Sequence, residues 1–140
     1  GVELGARVPI KDLRAAVLKV RERKGMLLSS GLNSAGSFFM NPIIAKADES
    51  LLPKEAPRWQ QDDGTIKTSA AWLIESAGFS KGYEKNGAGI SAKHVLALTN
   101  NGSASAIALV ELAMEIRDAV RKKFDISLQP EVRMVGIKFI

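Results

Sequence analysis

The stretch Asn33-Ser34-Ala35-Gly36-Ser37-Phe38-Phe39-Met40-Asn41-Pro42 sets a hydroxyl on small, permissive backbone directly before a bulky apolar pair. Gly36 allows a ligand to approach the main chain closely, the two Phe anchor the segment and exclude water, and Ser37 is then placed to give or take a proton. The same pattern also fits a turn serine leading into a core strand, and on pattern alone that reading is the commoner. A second candidate is Glu131, in Gln129-Pro130-Glu131-Val132-Arg133. A carboxyl held behind a proline in apolar surroundings has its ionisation resisted and makes a useful general acid. The plainer alternative is a surface ion pair with Arg133 or another cation. Arg21 and Lys24 stand three residues apart at a helix end, a spacing that suits a diphosphate and equally a solvated turn. The single histidine, His94, opens an apolar run and is a candidate donor to ligand or simply to backbone.

Other chemistries lack their residues. The chain has no cysteine, which excludes disulfides, zinc thiolates and a cysteine nucleophile. One histidine with scattered acids makes no metal constellation, and no Ser-His-Asp spacing is interpretable. The glycines of 82–89 lack the strand–GxGxxG–helix setting of a dinucleotide site. No run approaches the ~20 apolar residues of a membrane span, and no charged start with a hydrophobic block marks a signal peptide, so a cytoplasmic location is expected. The chain opens on Gly1-Val2-Glu3, which reads as a piece of something longer. Twenty Lys and Arg against fifteen Asp and Glu give a net charge of +5, which favours anionic partners. Aromatic residues are 6%, and the Phe pair reads as buried, so a stacking platform for nucleic acid is not expected.

These residues need a scaffold, and 140 residues suffice for one ordinary core. Residues 2–10 read as a short strand ending at Pro9. Asp12 then reads as the cap of an amphipathic helix through Leu13, Ala16, Val17 and Val20, stopped by Gly25. Residues 26–36 read as loop, 37–40 as a strand continuing through Ile43 and Ile44, and 46–66 as a surface excursion with Trp59 turned inward. Ser69 caps a short helix closed by Gly78, 78–93 is a long irregular loop, and 94–99 is a strand ending in the Asn100-Asn101-Gly102 turn. Ser103 or Ser105 starts the clearest helix, with Leu109, Ala113, Ile116, Val120 and Phe124 on its apolar face. Residues 126–140 alternate like a strand broken by Pro130. Strands and helices do not alternate regularly, so the fold class is α+β.

Taken together, four segments in order resemble the UDP-N-acetylenolpyruvoylglucosamine reductase family. Ser34–Pro42 resembles its AGSFF-x-NP signature. Ser69–Gly78, with Lys81-Gly82 following, resembles its WLIE-x-AG helix. Lys93–Asn100 resembles its KH…N strand, and Pro130-Glu131-Val132 its terminal PEV. The resemblance implies a small mixed substrate domain flanked by pieces of a flavin-binding domain. Residues 1–25 would end that flavin-binding domain, 26–127 would form the C-terminal substrate-binding domain, and 128–140 would be a C-terminal strand carrying the catalytic glutamate. It implies reduction of UDP-N-acetylglucosamine enolpyruvate to UDP-N-acetylmuramate for peptidoglycan, using FAD and NADPH. Ser37 would be the proton donor and Glu131 the second catalytic residue. Lys24, Asn41 and His94 would bind substrate, and Arg21, Gly36 and Arg133 would touch flavin or substrate. The chain alone, without the N-terminal flavin domain as partner, would bind no cofactor and be inactive. The alternative is a non-catalytic module that binds a nucleotide sugar or another anion.

Overall fold

The computed structural model describes residues 3–24, 27 and 33–139, and these form an α+β arrangement of two antiparallel sheets and three α-helices. Helix α1 spans Ile10–Arg23, α2 Ala70–Ser76 and α3 Ala106–Phe124. Strands β1 (Asn33–Ser37), β7 (Ala97–Asn100), β6 (Ala88–Ile90) and β5 (Glu84–Lys85) lie side by side in that order. A smaller sheet runs β2 (Ile43–Ile44), β4 (Ile66–Thr68), β3 (Arg58–Gln60). Helix α3 lies on β6 and β7 and packs against α2. Its buried stripe of Val110, Leu112, Ala113, Ile116, Val120 and Phe124 follows the helical period, and the core continues into Leu73 and Ile74 of α2.

Local chemistry accounts for both capped helices. The Ser105 hydroxyl accepts from Ala108 N at 3.1 Å and starts α3, and Ser69 accepts from Trp72 N at 3.2 Å and starts α2. Asp125, with φ of 56°, ends α3, and Gly78, with φ of 104°, follows α2 as expected. Asn100 turns the chain between β7 and α3, its Oδ1 accepting from Gly102 N and Ala104 N.

Several expectations are corrected. Residues 3–9 form no strand, and α1 begins after Pro9 with no side-chain cap, so Asp12 lies in its first turn rather than capping it. Pro9 stands at the cap position and has no side-chain acceptor; its carbonyl takes the amides of Asp12 and Leu13, at 3.0 and 3.2 Å, instead. The helix ends at Arg23 with Lys24 as its C-cap; Gly25 lies outside the described residues. The segment read as loop contains β1, while Phe38–Met40 is extended with only an isolated bridge. Asn-Ser-Ala-Gly-Ser has little strand preference of its own, and its antiparallel pairing with β7 is a tertiary effect. Residues 78–93 are irregular only at their ends: β5 and β6 form a hairpin within them, joined by the two-residue loop of Asn86 and Gly87, with φ of 53° and 76°. The strand read at 94–99 begins only at Ala97, because His94 O accepts from Ala97 N in a turn.

The 46–66 excursion is ordered from within. A 3₁₀ turn spans Lys46–Leu51, and the Arg58 guanidinium donates to the carbonyls of Leu52, Pro53, Lys54 and Ala56. Trp59 points outward and is 49% exposed, against expectation. The alternation along β4 explains it: Ile66 and Thr68 are fully buried, so Lys67 and its cross-strand neighbours Trp59 and Ile43 take the outer face. Residues 126–139 form no strand either. Ile126 and Leu128 alternate into the core with the expected period, yet the backbone pairs only around Pro130.

Candidate functional site

Ser37 ends β1, and a bulge sets its direction. Asn33 and Ser34 pair with Asn100 and Thr99, but Ser37 pairs with Ala97, so Ala35 and Gly36 together face Leu98. One extra residue reverses which way the following side chains point. Gly36 makes the bulge possible with φ of 89°, and its N–H leans on the Ser34 hydroxyl at 3.4 Å. Apart from its two chain neighbours, no atom of the described residues lies within 4 Å of where a Cβ on Gly36 would sit, so among those residues open space adjoins the main chain there.

The bulge turns Ser37 to the β6–β7 connection. Its Oγ lies 3.4 Å from His94 Nε2, across 57 residues of sequence, and both side chains are half-buried. The loop that carries His94 is tied by Ser91, which is buried and accepts from Lys93 N at 3.1 Å. Burial, then the charges of Lys24 and Lys81, hold His94 below the ordinary imidazole range, so the ring is neutral at neutral pH. Lys24, at the C-cap of α1, is thereby linked to this corner. Lys81 is a member of the same group that the family resemblance brings in with Gly82 but gives no role; its place beside Gly82, a glycine with φ of 82° in the turn before β5, is the signal.

Glu131 arrives from the far end of the chain. Phe39 and Pro130 form an antiparallel bridge, with Met40 N donating to Gln129 O at 2.9 Å and Glu131 N donating to Phe38 O at 2.8 Å. These bonds flank the bridged pair and need no N–H from residue 130, so proline is accommodated at no cost to the pairing. Glu131 thus lies opposite Phe38, one position along from Ser37. Its carboxylate is exposed, with no hydrogen bond to another described residue, so the hydroxyl and the carboxylate share a backbone neighbourhood and not a contact. Phe38 and Phe39 are 8% and 1% exposed, and together with Phe139 they close the inner side of the site.

The remaining candidates divide. Gly36 and Arg133 border one cavity of about 630 Å³, walled by Phe38, Leu109, Val132 and Met134. Asn41 uses its Oδ1 to accept from Ala70 N at 3.0 Å and so holds the first turn of α2. Arg21 is exposed on α1, with no contact to Ser37 or His94 among the described residues. Among those residues no group of three His, Cys, Asp or Glu is placed to hold a metal, and no helix is long and apolar enough to cross a membrane. The site is therefore a serine hydroxyl beside a neutral imidazole, with two lysines near enough to act on that imidazole and a carboxylate at the rim. Such a set can deliver a proton and attract an anion.

Residues 19–135 match the family model described as UDP-N-acetylenolpyruvoylglucosamine reductase, C-terminal domain. Similar curated proteins carry the reductase name. The one from Thermobifida fusca is 47% identical over 150 residues, covering 98% of this chain and 42% of that protein. The one from Cutibacterium acnes is 46% identical over 97% of this chain and 37% of its own length. Reductase 2 of Corynebacterium glutamicum is 48% identical over 94% of this chain and 38% of its own length. The chain thus spans about two fifths of the length of the curated relatives it matches.

Proposed function

The chain belongs to the UDP-N-acetylenolpyruvoylglucosamine reductase family, and from that premise we propose that it is the substrate-side part of an enzyme that reduces UDP-N-acetylglucosamine enolpyruvate to UDP-N-acetylmuramate in the cytoplasm, for peptidoglycan. In this reading Ser37 gives the proton that completes reduction of the enolpyruvyl double bond. The observation that carries it is the bulge at Ala35-Gly36, which spends an irregular, glycine-dependent backbone on turning one small hydroxyl toward His94. Irregular strand geometry of this kind often serves to aim a side chain.

Each residue then has a task. Ser37 protonates the α-carbon from its half-buried position, beside the water-excluding pair Phe38 and Phe39. Negative charge grows on the substrate carboxylate before that proton arrives, and cations meeting it lower the barrier. Lys24 is proposed to bind substrate, with Lys81 beside it, since both carry charge toward the corner where Ser37 and His94 meet. Glu131, fixed beside Phe38, is the second catalytic group, Asn41 completes the substrate contacts, and His94 lines the pocket against the serine. FAD reduced by NADPH supplies the hydride when bound. The open space beside Gly36 fits the edge of a flat ring, and Arg133 and Arg21 are the residues proposed to meet the flavin or the substrate. Residues 1–25 are proposed to pack with the flavin-binding region and 26–127 to form the substrate domain. Residues 128–140 bring the glutamate to it, and the chain by itself is inactive.

The test uses the full-length enzyme with its flavin-binding region. Ser37→Ala is expected to lower kcat for substrate-dependent NADPH oxidation by about 10²–10⁴-fold, the usual span for loss of a positioned acid. Reduction of the flavin by NADPH without substrate should proceed as in the wild type. A Ser37→Ala enzyme that turns over at the wild-type rate would remove the serine from the chemistry.

A further inference from the structure

Resting on the reductase reading above, we propose that His94 is a positioning residue for the Ser37 proton: its Nε2–H turns the serine hydroxyl toward substrate and holds the oxygen once that proton has gone. The 3.4 Å approach of Nε2 to Oγ brings these two side chains together, and the bulge at Gly36 and the tied 91–94 loop fix the two backbones that make it. A contact of this length is slack in the resting protein and has room to tighten around a reacting complex.

The direction of the hydrogen bond decides the chemistry. If Nε2 accepted, the hydroxyl hydrogen would aim at the ring, and Ser37 would be set up to lose its proton to the imidazole, as a nucleophile does. If Nε2 carries hydrogen, the serine oxygen accepts, and its own hydrogen must point away from the ring into the open side of the site. Only the second arrangement suits an acid that protonates carbon. The surroundings favour a neutral ring, because burial and the charges of Lys24 and Lys81 oppose a further positive charge.

The proton count closes without His94 ionising. Hydride from the reduced flavin adds to the β-carbon and the Ser37 proton to the α-carbon, so the π bond is lost, two C–H bonds form and the C–C single bond remains. The serine oxygen is left negative, accepts from Nε2–H, and regains a proton from solvent before the next turnover. A donor bonds an anionic oxygen more strongly than a hydroxyl, and that difference acts on the transition state, not on ground-state binding. A positioning role of this kind therefore lowers kcat when removed, whereas a residue that merely grips substrate raises KM.

Full-length enzyme carrying His94→Leu and His94→Gln separates the two. Leu keeps apolar bulk without a donor; Gln keeps an N–H and cannot ionise. His94→Leu is expected to lose about 10²-fold in kcat with KM near the wild-type value, the usual effect of removing one donor from a developing oxyanion. His94→Gln is expected to recover most of that loss. A raised KM with intact kcat in His94→Leu would make His94 a substrate ligand and overturn the proposal. So would a His94→Gln enzyme that melts and holds flavin like the wild type yet is as slow as His94→Leu. Failure of the underlying reading shows elsewhere: the wild-type enzyme would then reduce no enolpyruvyl substrate, or Ser37→Ala would cost nothing.

Discussion

Helices α1 and α3 carry much the same sequence design and meet opposite fates. Both are amphipathic, and both end in basic residues, Arg21 and Arg23 in one and Arg121, Lys122 and Lys123 in the other, which suit the negative end of the helix dipole. Yet α3 buries six side chains, while α1 buries none, leaving Leu13, Val17 and Val20 53%, 48% and 42% exposed. Periodicity announces that a face is to be covered; it does not say by what. For α3 the cover is the β6–β7 face and α2. For α1 it is not among the described residues, and the proposal that residues 1–25 pack with a flavin-binding region would supply it. Helices take most of their stability from such cover, so the two should respond very differently to the same substitution.

Truncation is the strongest way to break that contrast. Ile116→Ala removes a fully buried side chain and is expected to destabilise the 140-residue chain by about 2–5 kcal/mol. Val17→Ala, at an exposed site, should change it by less than about 0.5 kcal/mol. Urea unfolding followed by far-ultraviolet circular dichroism measures both. If Val17→Ala costs as much as Ile116→Ala, α1 is packed in this chain and the two helices are alike after all.

The helix starts give a smaller difference. Ser105→Ala removes the oxygen that accepts from Ala108 N, at an expected cost of about 1 kcal/mol. Asp12→Ala, in the first turn of the uncapped α1, should cost at most a few tenths. Equal losses in the same unfolding experiment would mean that Asp12 does act as a cap, as its sequence position had implied.

The caps were legible because their chemistry is local: Ser69 and Ser105 each stand three residues from the amide they serve. The apolar stripe of α3 was legible for the same reason. Strand β1 was not, since nothing in five small residues asks for extension until β7 lies beside them. The β5–β6 hairpin did announce itself in Asn86-Gly87, a two-residue turn signal lost among neighbouring glycines. Trp59 misleads because aromatic bulk suggests burial, whereas its pairing with Lys67, on the outer face of the alternating β4, sends it outward. For the site, residue types and motif likeness brought Ser37, His94 and Glu131 forward one at a time. Their proximity depended on the β1–β7 register and the Phe39–Pro130 bridge, long-range pairings that no spacing in the sequence encodes.

One link does join α1 to the body, and it predicts the smallest effect. Lys24 closes α1, and its charge is the second cause, after burial, of the depressed His94 ionisation, ahead of Lys81. Since His94 is the only histidine in the chain, its imidazole protons can be followed in a proton NMR titration without assignment. The wild-type midpoint is expected below the ordinary value of 6.5, and Lys24→Ala should raise it toward that value without abolishing the shift, because burial and Lys81 remain. Stability should follow the same sign. A base whose folded pKa lies below its unfolded one leaves the unfolded chain holding more protons between the two values. The stabilisation is therefore whole above the unfolded value and is lost as pH falls through the folded one. Lys24→Ala should flatten that slope slightly, and His94→Gln should remove it. An unmoved midpoint in Lys24→Ala would cut the link, leaving α1 electrically as well as sterically apart from the serine it is proposed to serve.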